Sequence, residues 1–113
     1  MQNLPIQEQT LGHHCWGCGA LNKDGLHIKS YWDGSQATCD WQPDPRFTAG
    51  PVKVLHGGII CVITQCHSLA TAVAHSYHQE GRPIGSEPLI RFVPGGIQVV
   101  YRKPVPIHQA VTL

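Results

Sequence analysis

A His-Gly-Gly run at the start of a long apolar stretch is the pattern in this chain that best suits chemistry. His56, Gly57 and Gly58 precede the apolar residues that continue from position 59. The first turn of a helix leaves backbone N–H groups without partners, and the helix dipole adds partial positive charge there. Because glycines let another group approach that backbone closely, the run predicts a site for a developing oxyanion, as in acyl transfer. A tight turn into a helix that packs against a neighbour explains the two glycines equally well.

A Cys-x-x-Cys pair near the N-terminus is the second candidate site. Cys15 and Cys18 follow His13 and His14, and such a pair is half of a common zinc site. The sequence has neither a second Cys-x-x-Cys nor a histidine pair at ligand spacing, so we expect no metal. A redox role would need a strand-to-helix context, whereas the glycines around this pair predict a loop.

Two further pairs have a structural explanation beside a chemical one. Cys66 and His67 are adjacent, and neighbours on a helix point in different directions, so they cannot act as a nucleophile and base within one chain. We therefore expect Cys66 to lie in the core. Arg102 and Lys103 stand at the end of a predicted strand and would suit the phosphates of coenzyme A, and a solvated strand edge explains them equally well.

The elements that position these residues follow from the apolar pattern. Residues from Gly57 to about Gln79 carry apolar side chains at spacings of three or four, which predicts one continuous buried helix. Gly81 suits the position just after a helix end, and Pro83 follows it. The stretch from 54 to 79 has no Asp, Glu, Lys or Arg, but it contains seven Gln, His, Ser and Thr residues between 65 and 78. These polar groups are too many for a lipid-facing helix, so we expect no membrane contact.

Short strands are predicted on both sides of the helix. Asp33-Gly34 separates residues 26–32 from 36–42, and Asp-Gly is a strong signal for a two-residue hairpin. Residues 97–101 and 109–113 are predicted as further strands, and residues 1–25 and 82–94 as loops. Hairpin-linked strands should form an antiparallel sheet curled around the one helix, an α+β fold.

Composition limits the class of protein. The chain has 113 residues, which predicts one domain. Only 13% of its residues are charged and 42% are apolar, so we expect an oligomer whose surface is largely covered. The net charge of +1, without a basic run, argues against nucleic-acid binding. Five cysteines and a polar stretch at residues 1–10 predict reduced thiols and a cytoplasmic protein.

Three runs together resemble the hotdog-fold thioesterases of the phenylacetate-pathway type. They are His14-Cys15-Trp16-Gly17-Cys18-Gly19 with Asn22 and Gly25-Leu26, then His56-Gly57-Gly58-Ile59-Ile60, then Val99-Val100-Tyr101-Arg102-Lys103-Pro104-Val105-Pro106. They occur in the right order and cover most of the chain from His14 onward. The resemblance implies a hotdog fold, homodimers or tetramers, and hydrolysis of acyl-CoA or related thioesters, with no cofactor beyond the coenzyme A of the substrate.

The resemblance also implies roles for particular residues. In that family a backbone N–H of the His-Gly-Gly segment polarises the thioester carbonyl, and an Asp or Glu nine residues after the His acts as general base or nucleophile. Here that position holds Gln65, which can hold a water or a thioester but cannot take a proton from water at neutral pH. We therefore expect a thioesterase-like protein with weak or lost activity. The alternatives are a noncatalytic acyl-thioester-binding module and a truncated structural fragment.

Assembly follows from the spacing of these residues. His56 and Gln65 are nine residues apart, or roughly 13 Å along one helix. A reacting carbonyl must lie about 3 Å from both its oxyanion donors and the attacking group. We therefore predict a two-fold dimer with composite sites, in which the helix start of one subunit faces the middle of its partner's helix. The family continues for roughly two strands beyond a segment like 109–113, so we expect the last strands of the hotdog to be lacking here.

Overall fold

One long helix and four short strands make up most of the regular structure in the computed structural model, which describes residues 3–10 and 12–113. The elements in chain order are α1 (Ile6–Gln9), β1 (Tyr31–Trp32), β2 (Ala37–Thr38), β3 (Asp40–Trp41), α2 (Gly57–Gln79) and β4 (Val111–Thr112). Both strand pairs are antiparallel, β1 with β2 and β3 with β4. The predicted α+β class with a single long helix is therefore confirmed.

The long helix α2 begins and ends at the residues that the sequence predicts. His56 caps its N-terminus, since the ring Nδ1 accepts the Gly58 N–H at 2.9 Å. At the C-terminus Gly81 adopts a left-handed φ of 67°, which a glycine reaches without steric cost. The Gly81 and Arg82 N–H groups then donate to the carbonyls of His78 and Tyr77, at 3.0 and 3.2 Å. This pair of bonds is a Schellman motif, which satisfies carbonyls that the helix end would otherwise leave without partners.

The predicted hairpin forms at Asp33-Gly34. Tyr31 pairs with Thr38 and Trp32 with Ala37, and the Asp33 carboxylate accepts the N–H groups of residues 35 and 36, each at 2.8 Å. These hydrogen bonds lower the pKa of Asp33, first of all the one from residue 36, because they stabilise the ionised carboxylate. The strands are shorter than predicted. The next pairing is with the C-terminal segment, where Cys39 and Leu113 exchange two backbone hydrogen bonds beside β3 and β4.

Two predictions about elements are wrong. Residues 97–101 form no strand within the described chain, and Ile97, Val100 and Tyr101 are at least half exposed. A strand needs a partner along its length, and the nearest pairing lies further along, where Leu55 donates to Val105 at 2.8 Å and Ile107 donates to residue 53 at 2.9 Å. The predicted N-terminal loop, residues 1–25, contains the single-turn helix α1.

The core lies between one stripe of α2 and the strands. Buried residues from the helix, the hairpin region, the segment before α2 and the segment before β4 make one cluster: Leu26, Ile28, Cys39, Trp41, Leu55, Ile59, Ile63, Cys66 and Ile107. Most other side chains of α2 are only half-buried, so the prediction of a buried helix holds for one stripe. By length and composition α2 could also cross a membrane, with a mean hydropathy of 1.5 in an 18-residue window of which 22% is buried. Core helices of soluble proteins meet the same criterion, so it does not identify a membrane span.

A buried polar chain ties α1 to α2. Gln7 donates to the Ser30 hydroxyl at 3.1 Å and accepts the Ser30 N–H at 2.9 Å. The Ser30 hydroxyl in turn lies 2.8 Å from Nδ1 of His67, on α2. Burial lowers the pKa of His67, so the neutral imidazole is favoured in this network. The hydrogen bond with Ser30 thus holds His67, one of the polar residues of α2, against the rest of the fold.

Candidate functional site

The first turn of α2 carries the predicted oxyanion donors. The Gly58 N–H is already bonded to the His56 ring of the same chain. A carbonyl oxygen could take that donor only after the ring rotates away. His56 and Gly58 are both exposed, so the surrounding structure leaves room for that rotation.

Tyr101 covers the other glycine of this turn. Its hydroxyl donates to the Gly57 carbonyl at 2.9 Å and lies 3.1 Å from the Cys61 sulfur. A Cβ at position 57 would come within 3.0 Å of the ring, so the absence of a side chain at Gly57 permits this approach. The hydrogen bond with the Cys61 thiol raises the pKa of Tyr101. Sequence reasoning gave this tyrosine no role at the site, and an aromatic residue in a predicted strand offers no signal for one.

Arg102 and Lys103 follow Tyr101 directly and are both exposed. Because Tyr101 is bonded to Gly57, the two cations belong to the segment that lies against the start of α2. They are therefore free to meet an anionic group that approaches this helix end.

Gln65 lies in the wall of a cavity of about 510 Å³. The cavity is lined mainly by apolar side chains of α2, of α1 and of the segment after α2: Ile6, Leu69, Ala70, Val73, Tyr77, Leu89, Ile90 and Phe92. Among the described residues that line it, Arg91 carries the one permanent charge. A volume of this size with an apolar wall and a few polar groups is typical of a small-molecule pocket. Sequence reasoning placed Gln65 at a site but did not find the cavity, since its wall comes from three separate segments.

The first turn of α2 does not contribute to this cavity. Its described lining includes Gln65 but none of His56, Gly57 and Gly58. One chain therefore presents the predicted oxyanion donors and Gln65 at different places, in agreement with their spacing of roughly 13 Å along the helix.

Three cysteines meet in the wall of the same cavity. The sulfur atoms of Cys15, Cys18 and Cys66 all lie within 4.8 Å of one another, and those of Cys15 and Cys66 are 3.7 Å apart. Cys66 is buried, as predicted for a core residue, yet its sulfur also faces this cluster. Sequence reasoning did not include it with the Cys-x-x-Cys pair, because Cys15 and Cys66 are 51 residues apart and only the fold unites them.

Backbone hydrogen bonds shape the N-terminal loop, and a glycine lets it pack against α2. The Gly19 N–H donates to the Cys15 carbonyl at 2.8 Å and closes the turn that carries both loop cysteines. The N–H of Leu26 donates to Trp16 at 2.8 Å, which ties the loop to the chain before β1. Gly17 is in direct contact with the helix, since a Cβ there would lie 2.4 Å from the Cys66 sulfur.

The clustered sulfurs favour one thiolate among them. Hydrogen bonding with the Cys66 thiol lowers the pKa of Cys18 to about 7, although burial acts in the opposite direction. The same interaction with Cys18, together with burial, raises the pKa of Cys66. At neutral pH Cys18 is therefore about half ionised, and the neighbouring thiols act as donors that stabilise its thiolate.

In comparisons with known proteins, no family model matches the chain, and neither a curated protein nor a solved structure matches it. The resemblance to hotdog thioesterases therefore rests on the three sequence runs alone. The family assignment, the hotdog fold and the activity stay predictions.

Proposed function

We propose that this protein binds acyl thioesters, with the acyl group in the cavity that Gln65 lines. The observation that carries the proposal is the position of the Gln65 amide in a mainly apolar wall around about 510 Å³. An apolar wall favours a hydrocarbon or aromatic acyl group, because burying such a group removes its surface from water. The amide adds a donor and an acceptor that suit the thioester carbonyl or a water beside it.

The groups that would bind the thioester carbonyl and the coenzyme A phosphates lie at or beside the start of α2. Gly58 supplies an N–H for the carbonyl when the His56 ring turns aside. The Arg102 and Lys103 side chains supply cations for the phosphates of coenzyme A, and Tyr101 joins their segment to Gly57. The thioester is thus recognised by a backbone donor, two cations and an apolar cavity.

Two copies of the chain are needed to bring these parts together. Since Gln65 and Gly58 of one chain are separated along α2, the carbonyl can reach both only when α2 of a second copy runs antiparallel to the first. The half-buried side chains of α2 provide the surface for that pairing. Light scattering should therefore give twice the chain mass. A stable monomer at micromolar concentration would contradict the composite site.

Gln65 decides whether binding leads to hydrolysis. General-base catalysis contributes roughly 100- to 10,000-fold, and an amide cannot provide it. Gln65→Asp should therefore raise the hydrolysis of a preferred acyl-CoA by about 100-fold or more. Gln42→Asp, at an exposed position in the chain after β3, is the matched control and should leave the rate unchanged.

The experiment combines binding and turnover on one panel of acyl-CoA esters. Calorimetry measures binding to both variants and to the wild type, and the loss of thioester absorbance measures hydrolysis without a reagent that reacts with the protein cysteines. Binding with a rate increase only in Gln65→Asp supports a thioesterase-like site. Binding without hydrolysis in any variant supports the noncatalytic module, and the absence of binding to the wild type overturns the proposal.

A further inference from the structure

We propose that Cys15, Cys18 and Cys66 form a binding site for Zn²⁺ whose fourth coordination position opens into the cavity that Gln65 lines. Zinc binding is independent of thioester binding, because it depends only on the three sulfurs and their surroundings. The expectation of no metal considered the Cys-x-x-Cys pair without Cys66, which supplies the third sulfur.

The sulfur positions suit a tetrahedral zinc ion. With Zn–S bonds of about 2.3 Å, two sulfurs of a tetrahedral site lie roughly 3.8 Å apart. Cys15 and Cys66 are separated by 3.7 Å, and Cys18 lies within 4.8 Å of both. Small rotations of the Cys18 side chain would complete the arrangement. A disulfide would instead require two sulfurs to approach to about 2.05 Å.

The ligands are held in place by the fold. The turn closed by the Gly19 N–H fixes Cys15 and Cys18 on one side of the loop, and the 23-residue helix α2 fixes Cys66. Gly17 lets the loop approach α2 closely enough for the two sets of sulfurs to meet. A metal ion would therefore join the N-terminal loop to the central helix without rearranging either backbone.

The open fourth coordination position would give the zinc ion a chemical role in addition to a structural one. All three cysteines line the cavity together with Gln65 and His13. The Nδ1 atom of His13 accepts the Cys15 N–H at 3.3 Å, and neither ring nitrogen of His13 belongs to the sulfur cluster. Three protein ligands with one open position are the arrangement of catalytic zinc sites, where water or a small ligand completes the coordination. Three thiolates and Zn²⁺ leave one negative charge, and Arg91 lines the same cavity.

Metal binding is measured on the whole chain kept reduced with a phosphine. The wild type should bind one zinc ion per chain, as determined by elemental analysis and by competition with a chromophoric chelator. Cys15→Ser should weaken binding by at least about 100-fold, since even outer-shell changes cost 10- to 100-fold. Cys61→Ser removes a thiol from the same helix outside the cluster and should bind like the wild type. Cys15 is exposed, so its substitution should leave the circular dichroism and the melting curve of the metal-free protein unchanged.

Cobalt substitution tests the open position. The Co²⁺ form should show thiolate charge-transfer bands and the d–d bands of tetrahedral cobalt, and added imidazole should shift the d–d bands by replacing a bound water. Unshifted bands would overturn the open position and indicate a fourth protein ligand. A wild type that binds no zinc, or a Cys15→Ser variant that binds it equally well, would overturn the site.

Discussion

The first turn of α2 and the middle of α2 differ in how well the sequence motif predicts an accessible site. The first turn has the stronger motif, yet its Gly58 N–H is bonded to His56 and its Gly57 lies under Tyr101. The middle has a weaker motif, a glutamine beside a cysteine, yet it faces the cavity and the sulfur cluster. Backbone donors at a helix start are satisfied by whatever lies nearest in the chain. Side chains in the middle of a helix are placed by the other elements that pack on it.

The largest effect on stability is expected at the contact between the N-terminal loop and the middle of α2. Gly17→Ala should lower the free energy of unfolding by about 1–3 kcal/mol, the usual cost of an added methyl group in a packed contact. The new Cβ would meet the Cys66 sulfur at 2.4 Å and Val62 at 2.9 Å, so one side must move. Urea unfolding of the metal-free protein measures the change.

Gly50→Ala is the control for this substitution, because a Cβ at that position meets nothing within 4 Å. If Gly17→Ala and Gly50→Ala unfold at the same urea concentration, the loop does not pack on α2 as described, and the comparison between the two regions fails.

A smaller effect is expected at the first turn. His56→Ala removes the acceptor of the Gly58 N–H and should destabilise the protein by about 1 kcal/mol, as the loss of a helix cap does. His56→Asn should recover most of that loss, because asparagine is a good N-cap residue. Thermal unfolding measures both, with His108→Ala at an exposed loop position as the control.

Should His56→Ala be as stable as the wild type, the ring would not be a cap, and the Gly58 N–H would already be free for a ligand. That outcome would weaken the contrast between the first turn and the middle of α2, since both would then be open to substrate.

The smallest effect on stability is expected from the protonation of His67 at low pH. Burial lowers the pKa of His67 in the folded protein below its usual 6.5, so the unfolded chain binds a proton more readily. This contribution to stability is fully present above pH 6.5 and is lost as the pH falls through the folded pKa. His67→Gln should therefore show a shallower decline in stability on acidification than the wild type. Equal slopes in unfolding experiments would show that His67 is not protected by burial.

Local signals predicted the elements whose hydrogen bonds are local. The apolar period and Gly81 fix α2 over Gly57–Gln79, because helix bonds and the Schellman motif join residues close in sequence. Asp33-Gly34 fixes the hairpin for the same reason. His56 was singled out by the His-Gly-Gly run and Gln65 by the resemblance to hotdog thioesterases, although the structure shows that they do not share a cavity within one chain.

Contacts between residues far apart in the chain could not be predicted from the sequence. Residues 97–101 have strand-forming side chains, but a strand exists only where another strand accepts its hydrogen bonds, and the chain pairs at 105–107 instead. The turn of α1 is held by a hydrogen bond from the Ile6 N–H to the Ser30 carbonyl, which no local sequence pattern predicts.

The amino-acid sequence by itself determined the long helix, the hairpin and the absence of a carboxylate at position 65, because each depends on one residue type or on neighbours within a few positions. Only the tertiary structure decided that Tyr101 covers Gly57 and that Cys66 joins Cys15 and Cys18 beside the cavity. These contacts join segments tens of residues apart, and they form because the burial of apolar side chains, such as Ile63, on one stripe of α2 brings the loop and the helix together.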